Sequence, residues 1–374
     1  MDTAERLRTF LTKNIFSPVS GFTFSDWLTL LRQAHFRVAP RYIPRVLFVT
    51  LNSLAITVAS RREQRTFGEA LASTAIRPPV FILGHWRSGT THLHNLLSVD
   101  PQFGYVTNFQ ALVQSFALSG SRWLLPLLSR LGPIARPMDN MTLALDGPQE
   151  EELALSSCSR HSPMHCLVFP RSFDDFFRPY VLAEWDDRHR DAWRAAYLGV
   201  LRKASLACGG KRLVLKSPTN TGRVPALREL FPEARFVHIH RDPYEVFQSI
   251  AHSYRKLMPM AQLQGVSWRQ VEDDFVRSYQ QMVGKFLEDR HAIPEGRLAE
   301  VRFEALCADP LGELERVYAE LQLGDFERAR PRFAGYVEGQ RDYARNRYEL
   351  SEHVLQRVND DWGFALDAFG YARR

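Results

Sequence analysis

Apolar residues along this chain follow two rhythms. Over most of the length they recur at the spacing of one helix face, but four short runs, at 80–83, 212–215, 235–239 and 298–303, are nearly continuous. A continuous apolar run bounded by polar residues is the pattern of a strand buried on both faces, as in a parallel sheet. Helix-like sequence follows each run. The stretch 184–208 reads as a long amphipathic helix before the second run, and 221–230 as a helix between the second and third. Alternating strands and helices predict an α/β fold, a doubly wound parallel sheet with its ligand at the strand C-terminal ends.

Residues 1–75 read as an N-terminal helical extension with breaks at Ser17-Pro18, Pro40 and Pro44. Arg77-Pro78-Pro79 then delivers the chain into the first strand of an α/β domain spanning 76–374. Within that domain, residues 104–180 lose the strand rhythm. They are rich in Leu, Pro, Ser and aromatics, among them Phe109, Phe116, Trp123, Phe169, Phe173, Phe176, Phe177 and Tyr180. This segment is expected to be a helical cover, as a layer packed on the sheet, as the wall of a substrate pocket, or as both.

Residues 46–60, VLFVTLNSLAITVAS, form the one conspicuous apolar run outside the strands. It is shorter than the ~20 residues that cross a bilayer, and Asn52 and Ser53 interrupt it. Two readings follow: a buried amphipathic helix, or a helix lying on a membrane surface, flanked by Arg41, Arg45, Arg61 and Arg62.

Composition narrows the partners. With 374 residues, 45% hydrophobic and 24% charged, the chain can build one sizeable α/β domain and a further helical layer. Its 48 Lys and Arg against 42 Asp and Glu give a net charge of +6, spread along the chain, which favours an anionic partner. An anionic nucleotide suffices, and no zinc-finger, RNA-recognition or basic-zipper pattern points to nucleic acid. Cys158, Cys166, Cys208 and Cys307 form no CxxC pair, so neither a disulfide framework nor a zinc site is expected, and a cytoplasmic location fits. No signal peptide is legible at the N-terminus.

The candidate chemistry begins at residues 79–93, PVFILGHWRSGTTHL, which read as a strand, a Gly-bounded loop and a helix start. The nucleoside-triphosphate loop has Lys and then Ser or Thr after its second Gly; here Thr90 stands at the Lys position and Thr91 at the hydroxyl position. Backbone N–H groups of Ser88, Gly89, Thr90 and Thr91 at a helix N-terminus can hold a dianion, and Arg87 adds a fork of donors. A cradle without the triphosphate Lys suits a 5′-phosphate carrying something other than a γ-phosphate. A kinase or ATPase is the competing enzyme reading. Residues 237–249 form a second motif, a strand ending in Arg241-Asp242-Pro243 and a helix carrying Ser249; Arg and a hydroxyl together suit a phosphate. Leu213-Val214-Leu215-Lys216-Ser217-Pro218 is the third, a strand that delivers an ammonium to the sheet edge, where it needs a partner.

These three motifs resemble those of the sulfotransferases that use 3′-phosphoadenosine 5′-phosphosulfate (PAPS), whose loop reads PxSGTT or PRSGTT where this chain has WRSGTT. The likeness is greatest to the large bacterial branch, with GTTHLHNLLSVDP after the loop, and covers roughly residues 75–350. It implies a P-loop-like three-layer fold and metal-independent, in-line transfer of a sulfuryl group to a hydroxyl or amine. It places the 5′-phosphosulfate on Arg87, Ser88, Gly89, Thr90 and Thr91, and the 3′-phosphate on Arg241 and Ser249. Lys216 would meet the transferring group, and His92 would stand where cytosolic relatives stack a Trp on adenine. Arg345 and Arg347, in the basic run 339–348, match the late basic loop only loosely because its Gly-containing version is missing.

The chain departs from the family at the general base. Pro218 stands where cytosolic members have His, and Thr107-Asn108-Phe109-Gln110 where tyrosylprotein-type members have Glu. The best replacement is in Asp146-Gly147-Pro148-Gln149-Glu150-Glu151-Glu152, which reads as the Pro-started, acidic first turn of a helix. Acids there serve the helix dipole in any protein. A carboxylate in an apolar segment also suits a base, and bacterial relatives carry a similar PQE-x-E stretch, so Glu150 is the first candidate and Glu152 the second. His94, His161 and His165 are expected to be structural, and the two-residue spacing of His92 and His94 on a helix points them in different directions, which argues against a shared metal. An aromatic cover suggests an apolar or amphipathic acceptor such as a lipid. A non-catalytic, membrane-associated nucleotide-binding module competes with these readings, motivated by residues 46–60 and the missing usual base.

Overall fold

Alternation along the first strand divides the interior. In the computed structural model, which describes residues 18–130, 134–135, 142–340 and 350–374, Phe81 and Leu83 enter one buried cluster and Val80 and Ile82 another, on opposite faces of one sheet. The strands are β1 (Val80–Leu83), β2 (Phe103–Gly104), β3 (Ile134–Ala135), β4 (Thr142–Leu143), β5 (Arg212–Lys216), β6 (Arg235–His240) and β7 (Leu298–Arg302). Five of them form a parallel sheet in the order β2-β5-β1-β6-β7, while β3 and β4 pair as a small antiparallel hairpin. Helices cover both faces, which makes a P-loop-like three-layer α/β fold. The apolar runs locate four strands; β5 and β6 each continue one residue further, to Lys216 and His240, and β7 stops at Arg302 because Phe303 opens a helix. The two-residue β2 and the short hairpin are too brief to show a period.

The helices, in chain order, are α1 (Phe24–Gln33), α2 (Ile43–Ser73), α3 (Thr90–Ser98), α4 (Asn108–Val113), α5 (Ala117–Ser129), α6 (Glu151–Cys158), α7 (Phe173–Val181), α8 (Asp187–Ala207), α9 (Val224–Leu230), α10 (Pro243–Ala261), α11 (Trp268–Asp289), α12 (Phe303–Ala308), α13 (Pro310–Leu321), α14 (Phe326–Gly339) and α15 (Glu352–Phe369). The expected break at Pro44 is absent. Pro44 lies in the first turn of α2, where its missing N–H has no helical partner to lose. Phe22, Trp27 and Leu30, from before and within α1, share the cluster of Phe81, so the N-terminal layer is built onto the sheet's own core.

The buried-helix reading of 46–60 holds for one face only, where Val49, Ser53 and Ile56 are buried and Val49 joins the cluster of Phe81. α2 runs well past residue 60, and it turns Ile43, Leu47, Leu51, Leu54 and Val58 to solvent, with Leu51 69% and Leu47 58% exposed. Polar residues add to the inward contacts of Val49 and Ile56: Asn52 Nδ2 donates to the Ser20 carbonyl at 2.8 Å, Thr50 Oγ1 accepts from Trp27 Nε1 at 2.9 Å, and Glu63 pairs with Lys203 at 2.5 Å.

The described residues between 104 and 180 are mainly helical. Phe109, Phe116, Phe169, Phe173, Phe176, Phe177 and Tyr180 are all buried, and of the eight aromatics named above only Trp123 is exposed. Their abundance reports a packed layer.

Candidate functional site

Register sets where the site lies. Ile82 pairs with Lys216 on one side of β1, and Leu83 with His238 on the other, so the loop after β1, the end of β5 and the end of β6 meet at one sheet edge. Two glycines make the loop possible. Gly84 and Gly89 have φ of +142° and +97°, and a Cβ would strike the Ile239 carbonyl at the first and the Phe303 ring at the second. The Gly84 N–H donates to Thr221 Oγ1 at 2.7 Å, tying the loop to the segment after β5. Gly89 is the N-cap of α3, so the backbone N–H groups of Thr90 and Thr91 open the helix toward the loop; Ser88 and Thr90 are buried and Thr91 is half-buried.

Lys216 is nearly fully buried, and its Nζ lies 2.5 Å from Glu150 Oε1 and 3.3 Å from Thr91 Oγ1. Glu150 is the N-cap residue of α6, yet its side chain makes no capping bond. The carboxylate points instead to Lys216 and keeps 13% of its side-chain surface open. Gln149 fixes this turn: its amide donates to Asn108 Oδ1 at 2.6 Å and its backbone N–H to the Val106 carbonyl at 2.8 Å. The segment Thr107–Gln110, which carries no Glu, is therefore what supports the Glu150 turn, and it closes its own helix with a Thr107–Gln110 capping box.

The three consecutive acids have three different partners. Glu152 is fully buried: Oε1 accepts from Ser162 Oγ at 2.7 Å, and Oε2 accepts from Thr219 Oγ1 at 2.9 Å and is ion-paired with Arg223. Arg223 also donates to Asn220 Oδ1 at 3.0 Å and the Tyr180 carbonyl at 2.9 Å, with its guanidinium 5.1 Å from the Trp193 ring centre. Glu151 accepts from Asn220 Nδ2 at 2.5 Å and from Tyr197 Oη at 3.1 Å, and its other oxygen has no hydrogen-bond partner among the described residues. Burial pushes the Glu151 carboxyl up to about 7, against the opposing pull of Asn220 and Arg223. This network ties α6 to residues 218–223, which directly follow Lys216.

A titration test follows. Glu151 binds its proton more tightly folded than unfolded, so its contribution to stability is complete below the ordinary carboxyl value of 4.5 and is lost as pH rises through about 7. The urea midpoint is expected to fall between pH 5 and pH 8 more steeply in the wild type than in Glu151→Gln. Parallel slopes would mean that Glu151 is ionised throughout.

Across the loop, Arg87 Nε donates to Ser249 Oγ at 2.9 Å, and Arg241 Nη1 donates to the Arg87 carbonyl at 3.4 Å. The Arg241 guanidinium lies 4.6 Å from the Phe303 ring centre and 3.4 Å from Glu245, and burial holds its pKa below the ordinary value. Arg87, Arg241 and Ser249 thus converge from the loop, the end of β6 and α10. Arg87, expected at the 5′ end of the nucleotide, extends to the residue expected at the 3′ end. Asp242 caps α10 by accepting from the Tyr244 N–H at 2.9 Å and pairs with Arg374. His92 is half-buried on α3.

Other expected histidines sit in the framework. His94 Nε2 lies 3.3 Å from the Val214 carbonyl and is pushed down to about 3 by burial and by neighbouring Lys216. His161 Nδ1 lies 2.9 Å from Tyr180 Oη, and His165 Nε2 lies 2.9 Å from the Ser159 carbonyl. Arg345 and Arg347 lie outside the described residues. Sequence reasoning missed Thr221, Arg223 and Gln149; the one available signal was the polar run Thr219-Asn220-Thr221-Gly222-Arg223 directly after a buried strand.

Residues 78–328, more than half the chain, match the sequence model of the sulfotransferase family. The omega-hydroxy-beta-dihydromenaquinone-9 sulfotransferases Stf3 of Mycobacterium bovis and Mycobacterium tuberculosis are each 33% identical over 354 residues, covering 94% of this chain and 91% of theirs. Among solved structures, sulfotransferase STF1 of Mycobacterium tuberculosis superposes with a TM-score of 0.63 at 21% identity, covering 90% of this chain and 92% of that one. Sulfotransferase STF9 of Mycobacterium avium also gives 0.63, at 18% identity, covering 94% and 97%. These two share the fold.

Proposed function

The chain belongs to the sulfotransferase family and is a PAPS-dependent enzyme of that class; from this premise we propose that it sulfates a hydroxyl of an apolar or amphipathic acceptor, in line and without metal, with Glu150 as base. The observation that carries the proposal is the placement of Lys216 Nζ against both Glu150 and Thr91, which joins a carboxylate, an ammonium and an anion loop at one point.

The amides of Ser88, Gly89, Thr90 and Thr91 would hold the 5′-phosphosulfate. Arg241 and Ser249 would take the 3′-phosphate, and Arg87, reaching Ser249, would span the two anions. The acceptor oxygen attacks sulfur as its proton passes to Glu150, and the sulfur–oxygen bond to the 5′-phosphate breaks. The negative charge that develops on that phosphate oxygen is stabilised by Lys216, and the products are a sulfate ester and 3′-phosphoadenosine 5′-phosphate. Glu152, enclosed in the Arg223 network, acts as a positioning residue for Glu150. His92 would pack against the adenine.

Metal independence is supported by Asp242, the one residue that imitates a magnesium carboxylate, being held by Arg374 and by the Tyr244 N–H. For the acceptor, the relatives at 33% identity are named for a hydroxylated menaquinone, which supports a hydroxylated lipid here. A cytoplasmic site of action accords with Cys158, Cys166, Cys208 and Cys307 being free thiols. In this reading residues 76–374 carry the reaction, and the described part of the N-terminal extension, from residue 18 to 75, supports them.

Calorimetry with 3′-phosphoadenosine 5′-phosphate, without magnesium, tests the donor site. Micromolar binding is expected, with ATP much weaker, and Arg241→Ala should weaken the bisphosphate about 10–100-fold, the loss of a charge-assisted phosphate contact. Preference for magnesium-ATP would sink the assignment.

A further inference from the structure

Ile43, Leu47, Leu51, Leu54 and Val58 recur at intervals of four, four, three and four residues, so they share one face of α2, and all five are exposed. No acidic residue occurs between 43 and 62. The same face continues with Arg61 and Arg65, with Arg62 beside them, all exposed, and Arg41 is exposed just before the helix. An apolar stripe bracketed by cations is complementary to a surface that is greasy within and anionic at its rim.

We propose that α2 is an interfacial helix by which this enzyme lies on an anionic lipid bilayer, with the Ile43–Val58 stripe among the acyl chains and Arg41, Arg61, Arg62 and Arg65 at the headgroups. The segment Pro40–Ser73 is long and apolar enough to cross a membrane, but its opposite face belongs to the protein body. Arg45 donates to the Gln262 and Pro259 carbonyls at 2.9 and 3.2 Å, Phe24 N–H donates to Thr57 Oγ1 at 2.9 Å, and Glu63 pairs with Lys203. A spanning helix would forfeit all of these, whereas a helix lying flat keeps them. The stripe is independent of the donor site, so a failure of the sulfotransferase assignment leaves this proposal standing, and the reverse also holds.

The test is vesicle co-sedimentation of the full chain, with phosphatidylglycerol–phosphatidylcholine mixtures against phosphatidylcholine alone. Binding is expected to the anionic vesicles, falling as salt rises, and to weaken at least about tenfold in Leu47→Ser/Leu51→Ser/Leu54→Ser. Arg61→Glu/Arg62→Glu should retain the apolar contact yet lose the preference for anionic lipid. Because exposed side chains are changed, circular dichroism and bisphosphate binding should match the wild type; should the triple variant misfold, Leu51→Trp supplies a second readout, its emission shifting blue and quenching with brominated lipid. No binding to either vesicle, or equal binding to both, would overturn the proposal. So would a wild-type dimer by light scattering that the triple Ser variant abolishes, since a second copy would then cover the stripe.

Discussion

Glu150→Gln is expected to lower kcat by about 10²–10⁴-fold, the range lost when a positioned general base is removed. Gln keeps the shape of the side chain and still offers an oxygen to Lys216, so the substitution removes proton acceptance with little change to packing. Bisphosphate affinity should stay within a few-fold of wild type, because in the proposed reading Glu150 faces the acceptor and the bisphosphate lies on the loop amides, Arg241 and Ser249. Steady-state kinetics with any accepted alcohol, beside calorimetry on the same preparation, separates the two effects. A kcat within about threefold of wild type would reduce Glu150 to a counter-ion of Lys216 and send the search for the base elsewhere.

Arg223→Met is expected to destabilise the fold by about 3–5 kcal/mol, the cost of leaving one member of a buried ion pair without its partner. Arg223 and Glu152 are both fully buried, and Arg223 also holds Asn220 and the Tyr180 carbonyl. Urea unfolding should show a lower midpoint with an unchanged slope, and Arg223→Met/Glu152→Met should recover part of the loss by removing the stranded carboxylate. A loss below about 1 kcal/mol would show that water or rearrangement satisfies Glu152, and the network would then lose its role in placing Glu150.

β1, β5 and β6 were legible because a strand covered on both faces carries a nearly unbroken apolar run, whereas β7, at the sheet edge, alternates buried and exposed positions. β2 was not, because two residues carry no period. α2 shows a different limit: periodicity marked a helix, but which face turns inward, with Val49 and Ile56, was decided by partners that the pattern cannot see, among them Trp27, Ser20 and Lys203. The site divides in the same way. The loop, Lys216, Arg241 and the acidic turn were all readable as chemistry. The separate roles of Glu150, Glu151 and Glu152 were not, because they depend on Ser162, Tyr197, Thr219, Asn220 and Arg223, distant in sequence. Arg87 and Ser249, 162 positions apart, meet only in the folded chain.

The strand order also governs how this protein behaves when concentrated. An open parallel sheet ends in two rows of unsatisfied backbone groups, which can recruit a stray strand from another molecule. Here one boundary strand, β2, is only two residues long, too little to template an intruder. The other, β7, alternates buried Ala299 and Val301 with outward Glu300 and Arg302, a pair of opposite charges that a docking strand would have to strip of water. The fold therefore guards itself against strand-by-strand aggregation at both ends of the sheet.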